Sequence, residues 1–335
     1  MSKLTKGEIE NMRNAMGTLP SQKPKKTYNY ENDITSIYTK MTDWPKNPYK
    51  IIVRAVTATW GDNETGSTQK WERLTPENRY RLVLSHLTGN TLFQASEGIQ
   101  FQFEVNGLTR HDFDQHARAR IGAHFMSIGT RDNNKLDADI LLYDDVIERM
   151  NKDFEYKQKV EQWIKITKDL YEDTILYSES SWQTGRAFLP QSINHSYVFG
   201  INYLALKGQC NRRLMACEQE GIVTLHWLFR DEVNRCFPLL ANYLKPVCDN
   251  AKRCVYMEGP EGLTKYFSNL FDGCGRWKVK KEENQTYREF NKSCTSYERL
   301  KELGIPIVYP HEYIHYAYND YDKLDKKDKI LFEMD

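Results

Sequence analysis

The apolar spacing of residues 217–246 is the feature that most constrains the fold of this chain of 335 residues. Apolar side chains recur there at intervals of three and four residues, which places them on one face of an α-helix. Such a stripe is typical of a helix packed into a core, so we predict a buried helix rather than a cofactor-binding motif. Pro238 is predicted to kink or break it, because proline lacks the N–H that a helix interior requires. The stripe comprises Ile222, Leu225, Phe229, Val233, Cys236, Leu240 and Leu244.

Two further segments have the composition of β-strands. Residues 51–60 are rich in β-branched side chains and run into a polar cluster. Residues 99–107 alternate apolar and polar side chains, and their Asn-Gly ending favours a turn. Helices are predicted over 74–88, over 109–120 and within the amphipathic stretch 137–180, and residues 193–201 are predicted to be extended before a further helix.

The charge balance and the cysteines exclude several classes of protein. The chain has 47 Lys and Arg residues together and 46 Asp and Glu residues together. It therefore has no strong electrostatic field of one sign that would favour binding to bulk nucleic acid or to a membrane. No run of about 18 apolar residues is present, and the polar start lacks a secretory signal, so we expect a cytoplasmic protein. Seven cysteines, without an export signal, favour reduced thiols. Their spacing from Cys248 onwards matches no tight zinc pattern, so we predict no metal site.

Several polar side chains are candidates for binding an anionic ligand. Gln115 and Arg118 are three residues apart, so on a helix they share a face and can grip one ligand. Arg186 precedes a proline turn, and Arg213 lies near the end of a predicted helix. A single arginine is more often an exposed surface residue. His116 is the histidine that we consider as a base.

Two blocks of sequence make a more specific pattern than any single arginine. The stretch FEVNGLTRHDFDQHARARIG at 103–122 joins a strand and a Thr-Arg pair to the motif Gln-x-x-Arg-x-Arg. The segment RAFLP at 186–190 is followed further along the chain by Asn202, Arg213, Gln219 and Ile222. In this order the two blocks resemble conserved blocks of the flavin-dependent thymidylate synthase family, and the second block aligns without a gap from Arg186 to Ile222. The resemblance covers residues 50–246.

This resemblance implies a homotetramer with an α/β (α+β) fold, in which a mixed or antiparallel sheet is flanked by long helices. It implies reductive methylation of dUMP at C5 with methylenetetrahydrofolate, FAD and NADPH, the reduced flavin supplying the hydride. Arg213 would be the catalytic residue, stabilising charge on the pyrimidine as C5 becomes nucleophilic. The implied nucleotide contacts are Gln115, Arg118, Arg186, Arg213 and, after a one-residue shift of the loop, Gly129 and Arg131; the implied flavin contacts are Arg118, Arg120, Ile121 and Asn202.

The chain departs from the family pattern mostly at positions expected to contact the flavin. Ala119 replaces the motif histidine, Phe125 and Met126 replace polar residues, and Leu204 and Gly208 stand where the family has Arg and Asn. Three interpretations stay open. The first is a diverged thymidylate synthase, which we favour because backbone amides and helix ends can bind phosphates without a side-chain signature. The others are folate-dependent hydroxymethylation of dUMP or dCMP without flavin redox chemistry, and a non-catalytic nucleotide-binding partner subunit.

The limits of the resemblance predict three regions along the chain. Residues 1–48 are predicted to be an N-terminal extension, residues 49–247 the family domain, and residues 248–335 a C-terminal extension that ends in a mixed-charge tail.

Overall fold

Helices and strands follow one another along the chain in the computed structural model, which describes residues 30–32, 36–59, 67–127, 129, 133–177, 182–215, 218–251 and 297–334. The strands are β1 (Tyr30–Asn32), β2 (Tyr38–Asp43), β3 (Gln100–Thr109), β4 (Ala123–Ser127), β5 (Ile140–Leu142) and β6 (Asn194–Asn202). The α-helices are α1 (Pro48–Ala58), α2 (Ser67–Arg73), α3 (Pro76–Leu87), α4 (Arg110–His116), α5 (Asp144–Lys152), α6 (Phe154–Tyr177), α7 (Trp182–Gly185), α8 (Tyr203–Arg213), α9 (Glu220–Cys236), α10 (Pro238–Ala241), α11 (Val247–Ala251), α12 (Tyr297–Glu302) and α13 (Lys326–Glu333). Short 3₁₀ helices cover Phe93–Ser96, Arg186–Phe188, Pro310–Glu312 and Tyr321–Lys323. Among the helices described, none combines the length and the hydropathy that crossing a bilayer requires.

A four-stranded antiparallel sheet, in the order β2-β3-β6-β4, forms the centre of the fold, and β1 and β5 form a separate parallel pair. The predicted combination of long helices with a mixed or antiparallel sheet is therefore confirmed. Phe103 of β3 lies opposite Phe199 of β6. Helix α9 covers this pair, because the Phe229 ring centroid lies 4.6 Å from that of Phe103 and 5.2 Å from that of Phe199.

Helix α9 is the buried helix that the apolar spacing predicts. Ile222, Leu225, Phe229 and Val233 on it are 0 % exposed. The helix ends at Cys236, and α10 begins at Pro238 after one residue with non-helical backbone angles. The expected interruption at the proline is therefore confirmed. The predictions of helix α3, of helices α5 and α6, and of strand β6 leading into helix α8 are confirmed as well.

The prediction of a strand over 51–60 is wrong, because residues 51–58 belong to helix α1; residue 60 lies outside the described residues. The side chain of Asn47 caps this helix by accepting the backbone N–H of Lys50 at 3.1 Å. Ile52 and Val56 are fully or almost fully buried on one helical face. Burial of that face outweighs the modest preference of β-branched residues for strands.

The prediction of a turn at Asn106-Gly107 is also wrong, because β3 continues to Thr109 through a β-bulge. The register with β6 shifts between Val105 and Leu108. Gly107 has a φ of 73°, and a Cβ there would lie 2.0 Å from a backbone carbonyl oxygen. Only glycine fits this position. The bulge lets the strand reach the point where α4 begins.

The last described segment packs into the same core as the central sheet. Phe332 of α13 is 0 % exposed and stacks on Tyr49 of α1, with ring centroids 4.4 Å apart. The Arg79 guanidinium donates to the Phe332 carbonyl at 2.7 Å. Strand β2, all of which lies in the predicted N-terminal extension, is an edge strand of the central sheet. The boundaries near residues 48 and 247 stay predictions.

Asp328 makes the stability of this packing depend on pH. Its buried carboxylate accepts the Tyr49 hydroxyl and, at 2.9 Å, the backbone N–H of Leu239. Burial raises the pKa of Asp328 to about 7. The native state therefore holds this proton more tightly than the unfolded chain does. The resulting stabilisation is fully present below about pH 4 and is lost as the pH rises to about 7.

We expect Asp328→Asn to remove this loss, because asparagine cannot ionise. Between about pH 4 and pH 8, the free energy of unfolding of the variant relative to the wild type should rise by roughly 2–4 kcal/mol. Urea unfolding at a series of pH values measures this difference, and histidines that titrate in both proteins cancel from it. Asp322→Asn, at an exposed carboxylate, is the control. A difference that stays constant with pH would contradict the prediction.

Candidate functional site

Helix α4 starts from a cap that fixes the direction of its side chains. The Thr109 hydroxyl oxygen accepts the backbone N–H of Asp112 at 3.0 Å and donates to the Asp112 carboxylate at 2.6 Å. This arrangement resembles a capping box, with aspartate at the third helical position. These hydrogen bonds restrict the backbone conformation at the junction between β3 and α4. Arg110 is the first residue of the helix.

The same aspartate joins α4 to the beginning of α9. The Asp112 carboxylate is 0 % exposed and also accepts hydrogen bonds from the Tyr143 hydroxyl, at 3.2 Å, and from the Gln219 amide. Gln219 is the residue that precedes α9. A Cβ at Gly221 would lie 2.5 Å from the carboxylate, so the glycine permits this close approach. A single buried carboxylate thus holds three parts of the chain together.

A cavity of about 650 Å³ opens between α4, the turn after it and strand β4. Arg118 and Arg120 on the turn are exposed, and the Arg120 Nε donates to the Ala117 carbonyl at 3.2 Å. A Cβ at Gly200 would overlap the His124 ring, so the glycine lets that ring lie against β6. The cavity is lined by Arg110, Phe113, Asp114, Ala117, Arg118, Arg120, Ala123, His124 and Phe125.

The lining of this cavity is cationic and partly aromatic. Asp114 is its one carboxylate and pairs with Arg110 at 3.0 Å, which leaves the charges of Arg118 and Arg120 uncompensated within the lining. The rings of Phe113 and Phe125 meet edge to face, with centroids 6.1 Å apart. Guanidinium groups bind phosphate and carboxylate strongly, and aromatic walls suit planar rings. The cavity therefore suits a ligand with an anionic part and a ring.

Gln209 of α8 links this turn to the core. Its carbonyl oxygen lies 3.3 Å from Nε2 of His116 on α4 and 3.3 Å from Nε2 of His226 on α9. Its amide donates to the Ala119 carbonyl at 3.3 Å. Since Ala119 lies in the turn that carries the two cavity arginines, one side chain fixes that turn against α8 and α9.

The two histidines at Gln209 are buried and neutral. Burial lowers the pKa of His116 well below its usual value and lowers the pKa of His226 to about 3. Nδ1 of His116 lies 2.6 Å from the Tyr197 hydroxyl, so both of its ring nitrogens are engaged. Its ring packs edge to face against Phe125, with centroids 5.0 Å apart. This arrangement favours a structural role for His116 over that of a base.

The predicted helix over 109–120 is too long, because α4 ends at His116. The residues after it turn back so that β4 can pair with β6, and Gly122 allows the turn with a φ of 68°. Gln115 and Arg118 therefore do not share a helix face, and that expectation is wrong. Arg118 and Arg120 reach the cavity from the turn, whereas Gln115 lies outside its lining.

The structure places the remaining predicted residues outside the lining of the cavity. Arg213 is largely buried and pairs with Glu218 between α8 and α9. Asn202 caps α8, because its side-chain oxygen accepts the backbone N–H of residue 205 at 2.8 Å. Arg186 is exposed on a 3₁₀ helix, and Ile121 is 93 % exposed. Gly129 is exposed, and its carbonyl accepts a hydrogen bond from the Asn133 amide. Arg131 lies outside the described residues.

Three residues of the site escape the sequence analysis. Arg110 lines the cavity, and Asp112 and Gln209 hold its walls. The Thr-x-x-Asp spacing at the start of α4 is a capping signal that identifies Asp112 as a candidate. Gln209 has no comparable local signal, because its partners lie on other helices.

Comparison with known proteins bears on the same part of the chain. The family model described as thymidylate synthase complementing protein matches residues 40–239, which include the cavity and α9. Among solved structures, the chain is similar to a UMP/dUMP methylase PolB from Streptomyces cacaoi bound with 5-Br dUMP, at 14% identity and a TM-score of 0.49, over 64% of this chain and 96% of that chain. It is also similar to Thymidylate Synthase X (ThyX) from Helicobacter pylori with FAD and dUMP, at 17% identity and a TM-score of 0.45, over 62% of this chain and 99% of that chain. No curated protein matches the chain.

Proposed function

Because the chain belongs to the thymidylate synthase complementing protein family, we propose that it converts dUMP to dTMP by reductive methylation at C5. The family membership makes it a thymidylate synthase-like one-carbon transferase. Methylenetetrahydrofolate is the proposed one-carbon donor, NADPH the proposed reductant, and a homotetramer the proposed assembly. The observation that carries the proposal is the cationic, partly aromatic cavity at the end of α4, inside the matched region.

The nucleotide is proposed to bind through its phosphate and its base. Arg118 can form charge-assisted hydrogen bonds with the phosphate, with Gln115, Arg186, Gly129 and Arg131 as further proposed contacts. Arg213 is proposed to contact the pyrimidine. Glu218 engages one edge of its guanidinium, which has five N–H donors and thus keeps others for a ligand. Held in this way, the cation is oriented before substrate arrives and can stabilise charge that develops on the ring.

The residues proposed to hold FAD fit an anionic, partly apolar group. Arg120 offers an exposed cation, and Ile121 offers an apolar surface that is 93 % exposed. Arg118, Arg120, Ile121 and Asn202 would hold the flavin nucleotide. When bound, the flavin supplies the hydride that completes the methyl group. The residues of this chain contribute binding and orientation, with Arg213 as the proposed catalytic residue.

One observation favours a second candidate reaction, hydroxymethylation of dUMP or dCMP. Gly208 stands where the family has Asn, and open space surrounds the position that a Cβ would occupy there. The Asn202 side-chain oxygen is committed to capping α8. A site with fewer flavin contacts is compatible with a reaction in which water, rather than hydride, completes the transfer of the one-carbon unit. A non-catalytic partner subunit would bind nucleotide without turnover.

We expect the purified protein, incubated with FAD and dUMP and freed of unbound ligand, to retain the visible absorption band of flavin. Arg120→Gln should reduce the retained flavin, because it removes an exposed cation from the cavity. Arg149→Gln, at an exposed arginine on α5, is the control and should retain as much flavin as the wild type. Nucleotide binding without any retained flavin would contradict reductive methylation. If the flavin-free protein then converted dUMP or dCMP, the result would indicate hydroxymethylation. If it converted neither, the result would indicate a non-catalytic subunit.

We expect Arg213→Ala to weaken dUMP binding by roughly 1.5–3 kcal/mol, which is the range for a lost hydrogen bond to a charged group. Isothermal titration calorimetry with dUMP measures the change in Kd. Arg212→Ala is the matched control, because Arg212 is the exposed neighbour of Arg213 on the same helix. Equal affinities in the two variants would remove the assignment of Arg213 to the nucleotide.

A further inference from the structure

Helix α12 contacts both ends of the connection between α8 and α9 (residues 214–219). Tyr297 of α12 is 1 % exposed, and its hydroxyl donates to the Leu214 carbonyl at 2.7 Å, at the start of the connection. Arg299, two residues further along α12, pairs at 3.2 Å with Glu220, the first residue of α9. One short helix therefore holds the chain where the connection begins and where it ends.

Arg299 lies within a group of carboxylates that are shielded from water. Besides Glu220, it pairs with Asp144, the first residue of α5, at 3.4 Å, and both carboxylate side chains are largely buried. Burial raises the pKa of Glu220 to about 7, although the charge of Arg299 favours the ionised form. The nearby carboxylates Asp144, Asp145 and Asp112 oppose ionisation. Removing one partner from such a group is costly, because it leaves buried charge without compensation.

The residue that orients Arg213 lies inside the connection. The Glu218 carboxylate pairs with the Arg213 guanidinium, and both side chains are largely buried. Gln219, the next residue, donates to the Asp112 carboxylate and lies 2.8 Å from the Tyr143 hydroxyl. The direction of the Arg213 guanidinium therefore depends on where the connection places Glu218.

Packing and ionic contacts of α12 are carried by different residues. Leu300 is 0 % exposed and belongs, with the Tyr297 ring, to the main hydrophobic core, so these two side chains seat the helix. Arg299 is partly exposed and adds ion pairs instead. A substitution at Arg299 can therefore remove the ion pairs and leave the apolar seat of the helix in place. The match to the family model ends at residue 239, so α12 lies outside the matched region.

We propose that α12 positions Arg213, through the contacts of Tyr297 and Arg299 with the two ends of the connection. Tyr297 fixes the carbonyl of the residue after Arg213, and Arg299 fixes the residue two positions after Glu218. The Arg213 guanidinium is thereby held in one orientation for the nucleotide. Tyr297 and Arg299 are positioning residues, since they act through Arg213. The consequence for nucleotide binding rests on the proposed function, whereas the effect on the connection does not.

Hydrogen–deuterium exchange of the full chain at about pH 8.5, without nucleotide or flavin, tests whether α12 fixes the connection. The amides of Leu214 and Glu218 are hydrogen-bonded in the wild type. In Arg299→Gln we expect them to exchange roughly tenfold faster, because exchange reports local opening. Tyr297→Phe should act in the same direction, since it removes the hydroxyl and keeps the buried ring. Arg299→Lys keeps a cation and should restore part of the protection.

Arg235→Gln is the matched control for the exchange experiment. Arg235 forms an ion pair with Glu232 on α9, but its side chain is 55 % exposed. The substitution should therefore leave exchange at Leu214 and Glu218 at the wild-type rate. Equal exchange rates in Arg299→Gln and Arg235→Gln would overturn the proposal.

A double-mutant cycle tests whether the contacts act through Arg213. Arg299→Gln should raise the Kd for dUMP roughly fivefold in the wild-type background and should have no further effect when added to Arg213→Ala. Isothermal titration calorimetry measures the four affinities. An equal loss in both backgrounds indicates a general loss of structure and would overturn the positioning role. If the wild type binds no dUMP, the proposed function fails, and hydrogen exchange still decides whether α12 fixes the connection.

Discussion

Asp112→Ala is expected to lower the free energy of unfolding by roughly 3–5 kcal/mol, as for other buried charges that satisfy several partners. The substitution leaves the Thr109 hydroxyl, the Tyr143 hydroxyl and the Gln219 amide without their shared acceptor. It also opens space beside Gly221, which the carboxylate now fills. Guanidinium chloride unfolding measures the change.

Asp114→Ala is the matched control for this effect, because Asp114 lies on the same helix. Its carboxylate is 44 % exposed and only pairs with Arg110, so we expect a change of about 0.5 kcal/mol or less. Asp112→Asn should fall between the two, because the amide keeps the shape but offers one acceptor in place of two. If Asp112→Ala and Asp114→Ala cost the same, Asp112 is not the link that holds α4 to α9.

Gln209→Leu is expected to cost roughly 2–4 kcal/mol of stability, because it leaves two polar groups inside the fold without a partner. Leucine has nearly the size of glutamine but satisfies neither Nε2 of His116 nor the Ala119 carbonyl. The turn that carries Arg118 and Arg120 loses its anchor. We therefore expect weaker dUMP binding in addition to the lower midpoint of denaturation.

Asn211→Leu serves as the control, because Asn211 lies on the same helix and, within the described residues, its side-chain oxygen accepts one hydrogen bond, from the exposed Asn250 amide. It should leave both stability and dUMP affinity near the wild-type values. A Gln209→Leu variant with reduced stability and unchanged affinity would show that the turn keeps its shape without Gln209. Unchanged stability would exclude the buried network altogether.

The sequence correctly predicts those elements whose buried positions follow from the apolar periodicity of their own residues. Strand β6 buries alternate residues over most of its length, and α9 buries its periodic apolar stripe, so the local pattern is sufficient. The apolar run of α1 is ambiguous, because short runs of β-branched residues suit a strand or a buried helix face alike. Strand β2 has few buried residues, since it lies at the edge of the sheet, and its pattern is correspondingly weak.

The candidate site is predictable from sequence only where its residues are close together in the chain. Arg118 and Arg120 are found because they lie in one motif of a recognisable family. The contacts that position them join residues far apart: Asp112 and Gln219 are separated by 107 residues, and His116 and Gln209 by 93. No local pattern encodes such pairs. The early end of α4 also depends on residues far apart in the chain, because the helix stops where the chain turns back for β4 to pair with β6.

The docking of α13 has a consequence for the order in which this protein folds. Tyr49 and Asp328, which bond in the core, are separated by 279 residues. During synthesis on the ribosome, Tyr49 must therefore wait for these partners until nearly all of the described chain has been made, whereas α2, α3 and the 3₁₀ helix Phe93–Ser96 can cover other parts of α1 much earlier. Contacts of such long range also slow folding, because the loop between them has to close first. Until then, the surface around Tyr49 is open to non-native contacts on the nascent chain.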